Sequence, residues 1–347
     1  MRAPCAISTA LLLAACSTIG DAGGTPDGLP HGGTGEFRLL DGDELGIAGA
    51  LPGRAMVLRD AIERAAPAGD FLFYATARLG EARPELPDGH PPGDIYWPAF
   101  EPRRIHRASA WEEGVGGFVA GPEVLAASEP WHGGEVYDPW PVILEDGTAR
   151  LYYAAAGGVG LAEAPRVDGA FAHVAGPIVA GARRPSVIRG PDGAWWMYYE
   201  VAGTLQAARS EDGRVFDPRG RITIGGEDHG EGTEVERASP GAVRVETRAG
   251  RVLVRLYFES LRDGLVEGER AHVLYVAGSA DGLAFERHPR AVLAASDARY
   301  PAPVLLDTRV TLLYASLPFF GGPYQTRAVV ASVGPAGERF APADADP

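Results

Sequence analysis

Carboxylate, guanidinium, hydroxyl and phenol side chains recur at matching points along this chain of 347 residues. Each stands at the start of a β-rich segment, and four of these segments carry a proline at the same place. Two carboxylates can act as general acid and base, while arginine, serine and tyrosine can bind hydroxyl groups. The candidate positions are Asp60, Asp138, Arg184, Ser239 with Glu236 just before it, and Arg299-Tyr300.

A second set of carboxylates follows the aromatic segments. Glu200 comes after Trp196-Met197-Tyr198-Tyr199, and Glu259 comes after Tyr257-Phe258. Burial at the end of an apolar strand would raise the pKa of either carboxyl group, which suits a general acid. An ion pair with one of the many arginines is the alternative for both residues.

Aromatic side chains lie close to the same segments in sequence. Sugars stack their C–H faces on such rings while carboxylates and guanidinium groups bind the hydroxyls. The candidates are Trp97, Trp131, Tyr137 and Trp140. The histidines have no metal-ligand spacing, so we expect no cofactor; a structural cation such as calcium in a central channel is the alternative.

An internal repeat must position all of these side chains. Each copy has a proline, a turn, a strand with paired aromatics, a strand of small residues, and often Asp-Gly followed by Phe. The four copies with a proline begin about 45 to 60 residues apart, the range of β-propeller blades. A weaker first copy carries a long insertion at about residues 77 to 104. One blade cannot bury both faces of its sheet, so blades must stack in a ring. The starting points are Asp60, which opens a weaker copy, Asp138, Arg184, Ser239 and Pro301.

The repeat predicts an all-β fold: a five-bladed β-propeller with four-stranded antiparallel blades around a central channel. The innermost strand of each blade lines the channel, so the side chains at its start converge at one mouth. The last copy ends without a fourth strand. We expect residues 36–40 to supply it, because this pairing would remove two exposed sheet edges.

The N-terminus indicates export. Arg2 precedes an apolar run, and Leu13-Ala14-Ala15-Cys16 resembles the bacterial lipobox. We expect a signal peptide over residues 1–15, lipidation of Cys16, a flexible tether over residues 16–35, and the propeller domain over residues 36–347. An ordinary cleaved signal is the alternative. The predicted location is the cell envelope, anchored by lipid, with the outer membrane favoured and its side left open.

The charge balance restricts the partners. The net charge of −14 argues against nucleic acid, because phosphate binding needs a basic face. An acidic surface is compatible with neutral sugars. We therefore expect a carbohydrate partner, a membrane contact only through the anchor, and a monomer.

The chain resembles the five-bladed β-propeller glycoside hydrolases, closest to glycoside hydrolase family 43, over roughly residues 55 to 340. The resemblance implies inverting hydrolysis of arabinose- or xylose-containing glycans by an Asp base, a second Asp that tunes pKa, and a Glu acid. Asp60 matches the base, whereas Arg184 stands at the place of the second Asp and Ser239 at that of the acid. The matching motifs are Asp138-Pro139-Trp140-Pro141-Val142, the run from Asp192 to Glu200, and the run from Ala208 to Gly213.

Two main hypotheses follow. The first is a glycosidase-like hydrolase acting at the channel mouth, with Asp60 as base and Glu236 or Glu200 as acid. Its acid and base must lie about 6.5 to 9.5 Å apart. The second is a non-catalytic propeller that binds glycan or protein; a propeller whose channel only holds a cation or water is a weaker third. In the first, Asp138 tunes charge and binds hydroxyls, and the substrate contacts are Arg184, Tyr300, Trp140 and Glu259.

Overall fold

The computed structural model describes residues 38–40, 65–68, 71–76, 102–109, 121–228, 230, 232–246, 252–266, 269–289, 291–292, 298–306, 309–316, 325–333 and 340–341. Apart from a 3₁₀ turn at Pro130–His132, the regular structure in these ranges is β-strand. The strands form five sheets in a propeller-like, all-β arrangement. None of the described residues forms a helix that could span a membrane.

The strands are numbered in chain order, and the sheets are numbered 1 to 5 by their place along the chain. β1 (Arg38–Leu40) joins the last sheet and is described with it. Sheet 1 contains β2 (Ala65–Ala68), β3 (Phe71–Thr76), β4 (Arg104–Ser109) and β5 (Glu123–Leu125). Sheet 2 contains β6 (Tyr137–Ile143), β7 (Ala149–Ala155), β8 (Gly158–Ala164) and β9 (Ala172–Ala180).

Sheets 3 and 4 follow the same antiparallel order, and sheet 4 gains one parallel strand at its edge, where β14 pairs with β18. Sheet 3 contains β10 (Arg183–Arg189), β11 (Trp195–Val201), β12 (Thr204–Ser210) and β13 (Asp217–Arg221). Sheet 4 contains β14 (Thr223–Gly225), β15 (Thr233–Glu246), β16 (Val252–Val266), β17 (Glu269–Ser279) and β18 (Ala284–Arg287).

Sheet 5 combines the two ends of the chain. It contains β19 (Ala298–Leu306), β20 (Arg309–Ser316), β21 (Gln325–Val333), the short β22 (Phe340–Ala341) and β1. β1 pairs antiparallel with β21, with Leu39 opposite Val329. The prediction that the N-terminal segment adds a strand to the last repeat is therefore confirmed for Arg38–Leu40.

The aromatic segments of the repeat become the second strand of a sheet. Every residue of β7 is buried, and so is every residue of β11 except Val201. Such strands are buried on both faces because a neighbouring sheet covers each face. One core cluster joins sheets 2 and 3 through side chains that include Tyr152, Leu161, Met197 and Phe216.

The Asp-Gly signature of the repeat is a turn that connects neighbouring sheets. Asp212 Oδ1 accepts the Ser210 hydroxyl (2.9 Å), and the Gly213 N–H donates to Ser210 Oγ (2.8 Å). The Gly213 carbonyl then accepts the Tyr152 hydroxyl of the preceding sheet (2.7 Å). The motif therefore fixes sheet-to-sheet spacing, and it recurs with Ser279, Asp281, Gly282 and Tyr198.

Candidate functional site

One strand in each of sheets 2 to 5 contains the same irregularity: β6, β10, β15 and β19. A non-glycine residue with a left-handed backbone precedes a proline, and strand pairing shifts register there. Such bulges re-aim a side chain and store local strain, and both features are common next to functional sites. The residues are those that the repeat singled out: Asp138 (φ 50°), Arg184 (φ 55°), Ser239 (φ 51°) and Tyr300 (φ 54°).

At three of these bulges, a carboxylate of the preceding sheet forms a hydrogen bond with the left-handed residue. In each case one carboxylate oxygen accepts the backbone N–H of the left-handed residue across a sheet junction. The bonds join Asp138 Oδ2 to Arg184 N (3.1 Å), Glu200 Oε2 to Ser239 N (3.4 Å), and Glu259 Oε2 to Tyr300 N (3.5 Å). These six residues are called the mouth cluster, and the mouth is the end of the sheets where they meet.

The side chain of Arg184 crosses the mouth from sheet 3 to sheet 5. Its guanidinium donates to Glu200 Oε2 (2.6 Å) and to the Tyr300 hydroxyl (3.5 Å), and lies 4.9 Å from the Tyr300 ring centroid. Burial lowers the pKa of Arg184, but the charges of Tyr300, Glu200 and Asp138 raise it by more, so it ends well above its usual value. Arg184 is therefore a fixed cation at the centre of the cluster.

Glu200 is fully buried, and both of its oxygens have partners. Arg184 bonds one oxygen, and Arg183, whose side chain is 47% exposed, bonds the other. A general acid must reach the leaving group with its proton. The side chain of Glu200 is fully buried and both of its oxygens are held by arginines, so the ion pair considered from the sequence is the arrangement found. These ion pairs do not favour the catalytic role expected for Glu200.

Glu259 is also an internal anchor, contrary to its predicted role as a substrate contact. It is 3% exposed, accepts the Ser239 hydroxyl (2.7 Å), and pairs with His272 Nδ1. Burial raises the pKa of Glu259, but the bond from His272 and the charge of Arg184 outweigh it, so the pKa lies below its usual value. The expectation that burial would raise the pKa of Glu259 was wrong, because neutralising partners accompany the burial.

Asp138 differs from these two carboxylates. It is 1% exposed, and one oxygen holds the Arg184 N–H, while Oδ1 has no hydrogen-bond partner among the described residues. A buried acceptor without a donor costs roughly 1 to 3 kcal/mol. Such an atom at a strained bulge is an unsatisfied acceptor beside the mouth.

Glu236 lies on β15, three residues before Ser239, and is partly buried. Its carboxylate has no hydrogen bond or ion pair within the described part of the chain, and it faces the β11–β12 turn at Gly203. Of the two expected acids, Glu236 is thus the one open to a ligand.

Asp60, the expected base, lies outside the described residues. Its role as the base therefore stays a prediction.

The aromatic candidates have structural partners. Trp140 is 7% exposed and donates from Nε1 to the Val187 carbonyl (2.9 Å), so it belongs to the core and cannot stack on a ligand as predicted. Trp131 stacks on Tyr153, and the Arg103 guanidinium lies 3.5 Å from the centroid of the Tyr137 ring. Trp97 lies outside the described residues.

Two members of the site escaped sequence reasoning. Arg183 stands next to Arg184, and the register of β10 with β11 places it opposite Glu200, a signal that the repeat could have revealed. His272 had no such signal, because it reaches Glu259 diagonally across the β16–β17 pair. Among the described residues, no three His, Cys, Asp or Glu side chains form a metal-binding group.

No family model and no curated protein matches the chain, whereas solved structures of similar architecture do. An endo-1,4-beta-xylanase from Bacteroides thetaiotaomicron is 10% identical, with a TM-score of 0.56 over 81% of this chain and 95% of that one. The chain shares the overall fold of this enzyme. An alpha-L-arabinanase from Cellvibrio cellulosa, solved with arabinohexaose, is 11% identical, with a TM-score of 0.52 over 79% of this chain and 91% of that one.

A beta-1,2-mannobiose phosphorylase from Listeria innocua is similar to the same degree. It is 11% identical, with a TM-score of 0.55 over 86% of this chain and 91% of that one. At such identities the likeness shows the fold alone. The reaction must be argued from the side chains at the mouth.

Proposed function

We propose that this protein is a glycosidase-like hydrolase that binds a neutral glycan at the mouth of a five-bladed propeller. The observation that carries the proposal is the buried, unpartnered Oδ1 of Asp138. Five sheets and the pairing of β1 with β21 support five blades. The arabinanase and xylanase of similar fold favour an arabinose- or xylose-type bond as the target.

The charges of the mouth cluster favour an uncharged ligand that donates hydrogen bonds. Arg183 and Arg184 bring two positive charges to this region, whereas Asp138, Glu200 and Glu259 bring three carboxylates, so no strong positive field remains to attract a carboxylate or phosphate group. Asp138 Oδ1 supplies an acceptor. Sugar hydroxyls are donors of the required kind, and the Tyr300 ring beside Arg184 gives their C–H groups an apolar contact.

The chemistry would follow the inverting scheme. A carboxylate base takes a proton from water while the water oxygen bonds to the anomeric carbon. The bond from that carbon to the leaving oxygen breaks, and a carboxylic acid gives this oxygen its proton. Asp138 and Asp60 are the candidates for the base, and Glu236 is the candidate for the acid because its carboxylate is unpaired and accessible.

A second function, glycan binding without hydrolysis, is favoured by a different observation. Glu200 and Glu259 are both closed off by ion pairs, so the described mouth has fewer free carboxylates than its sequence suggests. Binding at Asp138 would proceed in the same way in this case. The two functions differ only in whether an acid and a base flank the bound sugar.

Turnover decides between these functions. The full-length protein would be assayed on aryl α-L-arabinofuranosides, aryl β-D-xylosides and a polysaccharide panel, beside Asp60→Ala, Asp138→Asn and Glu236→Gln. We expect turnover in the wild type and its loss in Glu236→Gln. Saccharide binding with no turnover on any substrate would favour the binding function, and full activity in all three variants would contradict the site assignment.

We also propose that Cys16 carries a lipid that anchors the protein in the cell envelope. The support is the Leu13-Ala14-Ala15-Cys16 motif behind an apolar run. Metabolic labelling with a radioactive fatty acid in a bacterial host would test this. We expect label in the wild type and none in Cys16→Ser; equal labelling would contradict the anchor.

A further inference from the structure

Residues 126–132 connect β5 of sheet 1 to β6 of sheet 2 and are called the connecting segment. The Gly157 N–H, in the turn between β7 and β8, donates to the carbonyl of Trp131 in this segment (2.9 Å). The chain then enters β6, where Asp138 of the mouth cluster is the second residue. The connecting segment therefore leads directly into the mouth and is fastened to sheet 2.

The imidazole of His132 lies at the centre of this fastening. It is fully buried, and its Nδ1 accepts the backbone N–H groups of Ser128 (3.0 Å) and Glu129 (3.0 Å). A ring nitrogen that accepts hydrogen bonds carries no proton. The single proton of the neutral ring is therefore on Nε2, which donates to the Tyr153 hydroxyl oxygen (3.0 Å).

A second histidine closes the chain of hydrogen bonds. The Tyr153 hydroxyl donates its own proton to His173 Nδ1 (2.8 Å). His173 Nε2 then carries the proton of that ring and donates to the Ala126 carbonyl (3.1 Å). The bonds thus begin and end on the connecting segment, and every donor has an acceptor while both rings are neutral.

A second proton on His132 has no acceptor in this arrangement. It would place an N–H group against the two backbone N–H groups that now donate to Nδ1, so both bonds would be lost. The titratable and charged groups on the elements packed around His132 are Glu129, Tyr153, His173 and the Arg103–Glu135 ion pair.

The electrostatic balance agrees with these hydrogen bonds. Burial and the charge of His173 lower the pKa of His132 by more than the charge of Glu129 raises it. Below the usual histidine value of 6.5, an opened segment therefore binds a proton that the closed segment excludes. Acid thus favours opening, and neutral pH favours the closed segment.

We propose that the connecting segment is an acid-sensitive latch, which opens when His132 takes up a second proton. At neutral pH the latch fixes the segment to sheet 2 through Tyr153 and His173. In acid, the Ser128 and Glu129 N–H groups lose their acceptor, and the junction of sheets 1 and 2 loosens at the mouth. The latch requires no ligand, so it goes beyond the proposed function and does not depend on it.

Hydrogen exchange read by mass spectrometry tests the latch in the full-length protein. Exchange of peptides that cover residues 126–132 would be measured from about pH 7.5 to about pH 5, the range in which histidines titrate. Rates would be corrected for intrinsic chemical exchange and compared with those of β11. In the wild type we expect the protection of the connecting segment to fall about tenfold over this range, while that of β11 is unchanged.

Two variants separate His132 from other acid effects. In His132→Asn, the side-chain oxygen can replace Nδ1 as acceptor but does not titrate, so protection of the segment should not depend on pH. His106→Asn is the control, because it removes a half-buried histidine of β4 that stacks on Tyr74. We expect this variant to keep the wild-type pH dependence.

Constant protection of the connecting segment in the wild type would overturn the latch. So would an equal fall in wild type and His132→Asn, because another group would then cause the acid effect. If His132→Asn does not fold, the wild type alone decides. A fall confined to residues 126–132 supports the latch, whereas an equal fall in β11 is global and contradicts it.

Discussion

The Oδ2 atom of Asp138 accepts the backbone N–H of Arg184 at 3.1 Å, and both residues have left-handed backbones in neighbouring sheets. One strained position therefore stabilises the next. The same link recurs from Glu200 to Ser239 and from Glu259 to Tyr300. Only Asp138 supplies this link from its own bulge and keeps its second oxygen unpartnered among the described residues.

Replacing Asp138 separates its two roles. Asn tolerates a left-handed backbone and keeps an oxygen for the Arg184 N–H. The free energy of unfolding of Asp138→Asn should therefore lie within about 1 kcal/mol of the wild-type value. Asp138→Ala loses the hydrogen bond to the Arg184 N–H, and alanine is disfavoured in a left-handed backbone. We therefore expect its free energy of unfolding to fall by about 2 to 4 kcal/mol. Urea unfolding measures both, and equal losses in the two variants would refute the role of this bond.

The two arginines on Glu200 should differ in their effect on stability. The side chain of Arg184 is 18% exposed, and its removal leaves the buried Glu200 carboxylate with one partner fewer. Arg184→Met should therefore lower the free energy of unfolding by about 3 kcal/mol. Arg183 is 47% exposed, so Arg183→Met should cost about 0 to 1 kcal/mol. Thermal and urea unfolding would compare the pair. Similar losses would mean that burial does not set the strength of these ion pairs.

The repeat revealed the positions of the site but not their roles. Asp138, Arg184, Ser239 and Tyr300 were found from sequence because each precedes or accompanies a proline at the start of a copy, and the structure places all four at bulges. The functions of Glu200, Glu259 and Trp140 could not be found in this way. Their partners lie on other strands or in the next sheet, and packing between sheets leaves no local pattern.

Tyr153 lies in a buried chain of hydrogen bonds. Its hydroxyl accepts from His132 Nε2 (3.0 Å) and donates to His173 Nδ1 (2.8 Å). Burial and the nearby His173 lower the pKa of His132, and its Nδ1 accepts the backbone N–H groups of Ser128 and Glu129. Tyr153→Phe removes the hydroxyl partner of His132 Nε2 and His173 Nδ1. We expect it to lower the free energy of unfolding by about 1 to 3 kcal/mol.

Tyr199→Phe is the matched control, because the Tyr199 hydroxyl has no hydrogen bond among the described residues. We expect this variant to unfold like the wild type in urea. If Tyr199→Phe is destabilised as much as Tyr153→Phe, the hydrogen bonds of Tyr153 with His132 and His173 do not contribute to the stability of the fold.

Asp212 should make stability depend on pH in the acid range. Backbone N–H groups of Val215 and Arg214 lower the pKa of Asp212 from 3.8 to about 2. A carboxyl group with a lowered pKa in the folded state stabilises above its unfolded pKa, and this contribution disappears as the pH falls through the folded value. The stability gap between wild type and Asp212→Asn should therefore be full above pH 3.8 and shrink toward pH 2.

Unfolding by urea at a series of pH values measures this gap. Glu211→Gln is the control, since it removes a surface ion pair with Arg209 but no bond to the backbone. A gap between wild type and Asp212→Asn that is constant across the acid range would contradict the assignment.

The most direct test of the central claim compares saccharide binding by wild type and Asp138→Asn. With the Asn oxygen held by the Arg184 N–H, its NH₂ group takes the place of Oδ1, so an acceptor toward the ligand becomes a donor while the fold is kept. Calorimetry with arabinose and xylose oligomers should show binding by the wild type and a loss of at least tenfold in the variant. Equal affinity in two equally stable proteins would contradict the role of Asp138 at the mouth.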